Sequence, residues 1–146
     1  MIYLASDHAG FELKSKIAEF LKKEGIPFED MGPHIYDEND DYPDFIIPAA
    51  KKVAEKPENK GIVLGGSGQG EAIAANKVKG VRAALYYGGQ KDIVKLSRTH
   101  NDANILSLGA RFVKAEEALE AVKVWLSTDF SQEERHRRRI EKINNY

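Results

Sequence analysis

A chain of 146 residues fits one domain and is long enough to bury a single hydrophobic core. Its 22 basic and 23 acidic side chains leave a formal charge of −1, with no bulk attraction to nucleic acid or an anionic membrane. It contains no cysteine, which excludes disulfides, thiolate metal ligands and thiol nucleophiles together.

The opening "MIYLASDHAG" lacks a basic region followed by a long apolar stretch, so it does not read as a signal peptide. No apolar run approaches the roughly 20 residues that span a bilayer. A cytoplasmic location is the expectation. "IYLAS" (2–6) reads as a buried strand, and "GFELKSKIAEFLKKEG" (10–25) as an amphipathic helix with Gly25 at its C-terminal end. "IPFED" (26–30) reads as a second strand, followed by the turn-rich "MGPHIYDENDDYPD" and a helix around 43–56. "GIVLG" is the third strand, with a helix over about 70–77. "VRAALYY" (81–87) and "ANILSLG" (103–109) are the fourth and fifth strands, separated by a helix over 89–100. Helices over 114–128 and 131–146 close the chain, the second opened by Ser131 and Glu134 in a capping-box pattern.

Five apolar strands separated by helices predict an α/β protein: one domain over 1–146, with a parallel sheet covered on both faces. Such sheets place ligands beyond the C-terminal strand ends. "SDHAG", "GGSGQGE" and "SLGAR" follow strands one, three and five and fall at that edge.

The glycine loop is not a nucleotide loop. A P-loop needs Lys-Ser/Thr after its second glycine, and here Gly70 is followed by Glu71-Ala72. The dinucleotide spacing fails too, since counting from Gly66 puts Glu71, and from Gly68 puts Ile73, where a glycine is required. Two readings remain: a nest of N–H groups for an anion at a helix N-terminus, or a turn built for tight packing.

Together "SDHAGFELK", "DYPD", "GGSGQGEAIAANK", "GVRAAL", "SRTHNDANILSLGAR" and "RHRRRI" resemble the successive motifs of the type B ribose-5-phosphate isomerases, which group with galactose- and allose-6-phosphate isomerases. The resemblance runs from residue 2 to about 143. It implies a Rossmann-like, five-stranded α/β/α sandwich and a homodimer with sites shared between subunits, a tetramer being left open. It also implies aldose–ketose isomerisation of a phosphosugar without metal or nucleotide cofactor. Many members of that family carry a cysteine base just before the loop, where this chain has Gly65. A second branch uses a glutamate within Gly-Gly-Ser-Gly-x-Gly-Glu, and residues 65–71 match it.

Glu71 is therefore the candidate proton shuttle, although a glutamate in a helix's first turn also serves the helix dipole alone. The N–H groups of Gly66, Gly68, Gln69 and Gly70, with the Ser67 hydroxyl, are the candidate oxyanion donors. By resemblance His100, assisted by Asp7, opens the sugar ring, and Asn101 and Tyr42 bind sugar hydroxyls. A lone histidine is more often a structural or surface residue. Arg135 and Arg139, four apart on one helix face, fit phosphate oxygens, and by resemblance His8 and Arg111 complete the phosphate set. The alternative is a solvated basic face, or a nucleic-acid stripe without interleaved aromatics. Ile140 and Ile143 give the last helix an apolar stripe suited to a partner subunit. "DENDD" lacks the glycine of a calcium loop and the four histidines show no metal spacing, so no metal is expected.

Overall fold

The computed structural model describes residues 1–146 as a three-layer α/β/α sandwich. Its elements run β1 (Ile2–Ser6), α1 (Phe11–Lys23), β2 (Phe28–Asp30), α2 (Pro43–Ala54), β3 (Lys60–Gly65), α3 (Gln69–Asn76), β4 (Ala83–Tyr86), α4 (Asp92–Thr99), β5 (Ile105–Gly109), α5 (Ala115–Ser127) and α6 (Glu134–Asn144). All neighbouring strands pair in parallel, in the order β2-β1-β3-β5-β4. No helix is long and apolar enough to cross a membrane.

The central strands are apolar throughout because helices cover both sides of them. Side chains alternate across the sheet. Ile2 and Leu4 of β1, with Ile62, Leu64, Leu106 and Leu108, pack among Ile17 and Leu21 of α1 and Trp125 of α5. Tyr3 and Ala5, with Val63 and Ile105, pack under Ile46, Ala50 and Val53 of α2 and Ala75 of α3. Truncating a wholly buried leucine of the first layer, such as Leu4, should cost about 2–5 kcal/mol.

After β1 the chain enters α1 on one face, and after β3 it enters α3 on the other. The two loops diverge from adjacent strands and leave a crevice between them, where open α/β sheets bind ligands.

The helix ends follow sequence chemistry unevenly. Gly25, with φ +67°, ends α1 in a Schellman turn: Ile26 N–H donates to the Leu21 carbonyl at 2.9 Å and Gly25 N–H to that of Lys22 at 3.2 Å. The expected Ser131–Glu134 capping box does not form. Gln132 takes φ +61°, so the chain turns before the helix begins and Glu133 becomes the N-cap. Ser131 is instead tied to α4, its N–H donating to the Thr99 carbonyl at 3.2 Å. The apolar stripe expected on α6 is also divided. Ile140 is buried within its own chain, and Ile143 is left exposed.

Candidate active site

The glycine loop turns because Gly68 adopts φ +76°, a left-handed conformation that costs a side-chain-bearing residue energy. This starts α3 at Gln69, and Ser107 Oγ donates to the Gly68 carbonyl at 2.6 Å to hold the turn on β5. The N–H groups of Gly66, Ser67, Gly68 and Gly70 have no acceptor within the chain, while Gln69 N–H donates to Ser67 Oγ at 3.3 Å. The result is a concave set of free donors at a helix N-terminus.

Glu71 lies one turn into α3 yet is only 4% exposed. Its carboxylate folds back over Gly65, filling the volume a side chain there would take. Burial raises its pKa above the ordinary value; the negative charge of Asp7 adds to this, and a bond from its own backbone N–H opposes it. A carboxylate whose pKa is raised is a stronger base once ionised.

Around this carboxylate the fold gathers residues from four loops. Asp7 ends β1 and accepts the Gly10 N–H through Oδ1 at 3.1 Å, which fixes the turn into α1. Arg111, after β5, lies beside Gly66, its own N–H donating to the Gly66 carbonyl at 3.0 Å. The Tyr42 hydroxyl lies against Gly70, 2.7 Å from where a Cβ would stand. His8 Nδ1 is 2.7 Å from Asp40 Oδ1.

Asp40 and Lys14 are site-building residues that the sequence did not single out. Lys14 is buried on α1, and its ammonium donates to the Asp30 carboxylate and, at 2.8 Å, to the Pro33 carbonyl. This anchors the start of the loop that carries Asp40 and Tyr42. The signal was present: an amphipathic helix with a lysine on its apolar face needs a buried acceptor. Asp7, His8 and Asp40 also form the one cluster able to hold a cation, with ligand atoms within 4.8 Å of one another. The expectation of no metal rested on local spacing, and these groups converge only in three dimensions. Two of their atoms are already engaged, His8 Nδ1 by Asp40 and Asp7 Oδ1 by the Gly10 amide.

The remaining predicted residues lie elsewhere. Helix α4 returns the chain to the opposite edge of the sheet, so His100, at its C-cap, and Asn101 precede the start of β5. Two arginines pin this loop. Arg98 donates to Asp102 Oδ1 at 2.7 Å and the Ala103 carbonyl at 2.8 Å, and Arg82 donates to the Asn101 carbonyl at 3.0 Å. Asp102 adopts φ +44° between them. His136 of α6, 4% exposed, stacks on His100 with ring centroids 4.2 Å apart. Arg135 and Arg139 flank it, both exposed; Arg135 Nε donates to Glu133 at 2.9 Å, and Arg138 pairs with Glu134 at 2.8 Å.

The residues singled out from the sequence thus fall into two groups on one chain. Asp7, His8, Tyr42, Ser67, Glu71 and Arg111 stand at the C-terminal strand edge; His100, Asn101, Arg135 and Arg139 group at the N-terminal edge. A five-residue strand separates these edges by about 16 Å.

Comparison with known proteins decides the family. A family model described as Ribose/Galactose Isomerase matches residues 2–143. This chain belongs to the ribose/galactose isomerase family. Within that family it is 46% identical to ribose-5-phosphate isomerase B of Mycolicibacterium paratuberculosis over 145 residues, covering 99% of this chain and 90% of the relative. Among solved family members, ribose-5-phosphate isomerase B from Mycoplasma genitalium with bound ribulose 5-phosphate superposes with TM-score 0.95. That chain is 44% identical, with 99% of this chain and 94% of that chain covered. The Thermotoga maritima enzyme of the same name gives TM-score 0.91 at 43% identity, covering 99% and 97%. The five-stranded architecture expected from the strand pattern is that of the family.

Proposed function

We propose that this chain interconverts ribose 5-phosphate and ribulose 5-phosphate through an enediolate. The observation that carries this reading is the Glu71 carboxylate, buried beside a nest of free N–H donors. It stands in a chain 44% identical to a protein whose structure holds ribulose 5-phosphate.

With the sugar open, Glu71 takes the proton from C2 and the electron pair moves onto the aldehyde oxygen at C1. The free amides of residues 66, 67, 68 and 70 and the Ser67 hydroxyl stabilise that oxygen as charge develops. Returning the proton to C1, with the O2 proton passing to O1, completes the ketose. Ring opening precedes this. It needs a proton on the ring oxygen and removal of one from the anomeric hydroxyl, a task for the His100 imidazole, which can both donate and accept a proton, with Asp7. Asn101 and Tyr42 bind hydroxyls; His8, Arg111, Arg135 and Arg139 hold the phosphate. No step calls on a metal or a redox cofactor.

We infer further that a second copy completes each site. A two-fold dimer brings the N-terminal edge of one chain to the C-terminal edge of the other and satisfies both sites at once. A half-open groove of about 250 Å³ adjoins Asn101, lined by Ala84, Leu85, Ile93 and Leu96. Ile93 and Leu96 are exposed there, as Ile143 is on α6. These apolar groups belong under a partner.

The test is a direct assay of ribose 5-phosphate conversion after chelator treatment, beside allose and galactose 6-phosphates. Turnover of the pentose, undiminished by chelation, is expected. Preference for a 6-phosphohexose, or activity restored only by a divalent ion, would overturn the reading.

A further inference from the structure

His8 does not stand alone. Asp40 reaches it from 32 residues away, and its Oδ1 accepts two bonds: from His8 Nδ1 at 2.7 Å and from the His8 backbone N–H at 3.1 Å. Its side chain is only 7% exposed, and Oδ2 is buried with no partner. Burying a carboxylate with one oxygen unsatisfied is costly unless a positive charge compensates it. The adjacent imidazole is the group that can supply one. With Nδ1–H committed to Asp40, Nε2 is the ring's remaining position for a ligand.

We propose that Asp40 is a positioning residue: it fixes the His8 ring through Nδ1 and favours its imidazolium form, so that Nε2–H is a charged donor to the substrate's phosphate. This rests on the reading that His8 binds phosphate. The other groups facing His8 are Asp7 at the end of β1, Arg111 after β5 and the Tyr36 ring, whose centroid is 6.3 Å away, edge-on. The bond to Asp40 is the largest influence on its titration and acts upward, Asp7 adds to it, and burial and Arg111 oppose. The net effect lifts the imidazole above its ordinary 6.5. The arrangement resolves a conflict within the site. Burial, and to a smaller degree Arg111, disfavour the charged imidazole, and the buried aspartate opposes both. Charge-assisted bonds are about twice as strong as neutral ones, so keeping the proton matters most where the substrate is anionic.

Nitrogen-15 NMR of the wild-type imidazoles, titrated without substrate, tests the first half. His8 should hold its proton on Nδ1 when neutral and titrate above 6.5. Titration at or below that value would overturn the proposal without any variant. Asp40→Asn preserves both acceptor bonds but removes the charge, so His8 should titrate lower. The KM for ribose 5-phosphate should rise roughly ten-fold at neutral pH, while kcat moves far less. The loss should shrink as pH falls and His8 recovers its proton, a trend that a loosened loop would not produce. In a His8→Ala background, Asp40→Asn should add nothing to KM; an undiminished effect there would make Asp40 a loop residue only. If His8→Ala leaves KM unchanged although the NMR shift appears, the phosphate reading fails and so does this use of the pair. The coupling of His8 to Asp40 would then stand without its ligand.

Discussion

The carboxylate of Glu71 fills the space beside the α-carbon of Gly65 where a side chain would begin: a Cβ at residue 65 would overlap both carboxylate oxygens and their carbon. The two positions form a single choice. A chain that keeps Glu71 folded back over β3 can carry only hydrogen at residue 65. The cysteine branch of the family places its base at that position, and in this backbone a cysteine there would displace the glutamate. Gly65→Ala should therefore preserve the fold yet lower kcat roughly a hundred-fold, since an ångström of misplacement costs about that much. Steady-state kinetics measure it. Undiminished kcat would mean that Glu71 reaches the substrate from another rotamer.

Glu71→Gln should abolish deuterium exchange from solvent at C2 of ribose 5-phosphate and leave phosphosugar affinity within a few-fold. The same change probes stability. Burial raises the folded-state pKa of Glu71 above the unfolded value. The folded state therefore binds this proton more tightly, and that contribution is lost as pH rises through the folded pKa. At about pH 8 the glutamine variant should melt at or above the wild-type temperature, with the gap closing near pH 4. A less stable variant at high pH would show the anion to be stabilised in place.

His136 titrates in the opposite sense. Burial lowers its pKa below the ordinary 6.5, helped by His100, Arg135 and Arg139 and opposed by Glu133. The unfolded chain therefore binds this proton more readily, and stability is lost as pH falls from about 6.5 through the folded pKa. His136→Phe keeps a ring against His100 but cannot ionise. Denaturant melts between about pH 7 and pH 5 should show a smaller loss than in wild type. Equal acid sensitivity would place the titration elsewhere.

Arg139 has no carboxylate partner, whereas Arg135 and Arg138 pair with Glu133 and Glu134. Losing one charge-assisted bond to phosphate costs roughly 1.5–3 kcal/mol, about ten- to a hundred-fold in affinity. Arg139→Ala should raise KM by that factor. Unchanged kinetics in Arg135→Ala and Arg139→Ala, alone and combined, would return α6 to a solvated basic face.

Mixing Glu71→Gln with Arg139→Ala tests the two half-sites. If they meet across a dimer, each mixed dimer has one doubly altered and one intact site. Random exchange of subunits then restores about a quarter of wild-type sites. No recovery after demonstrated exchange would place both residues in one subunit's site.

The sequence by itself determined the layers and one edge of the site. Buried strands such as "IYLAS" and "GIVLG", broken by amphipathic helices, admit little but a covered parallel sheet, and β-to-α turns in such a sheet lie at one edge. Asp7 and Arg111 were legible because each lies just after a strand, and Glu71 because it closes the glycine loop that follows one. Glycine at 65, 66, 68 and 70 marked a close approach. Only the tertiary structure decided what approaches: the chain's own Glu71 over Gly65, and Tyr42 over Gly70. Asp40 could not be read, since its partner is 32 residues away and a lone aspartate in an acidic loop has no local signature. His136 was hidden for the same reason, its ring meeting His100 only after α6 turns at Gln132. The alternation of strands and helices puts α-to-β turns at the other edge, but only the packed fold brings α6 there, where His136 meets His100 across 36 residues of chain that carry no local signal of the contact.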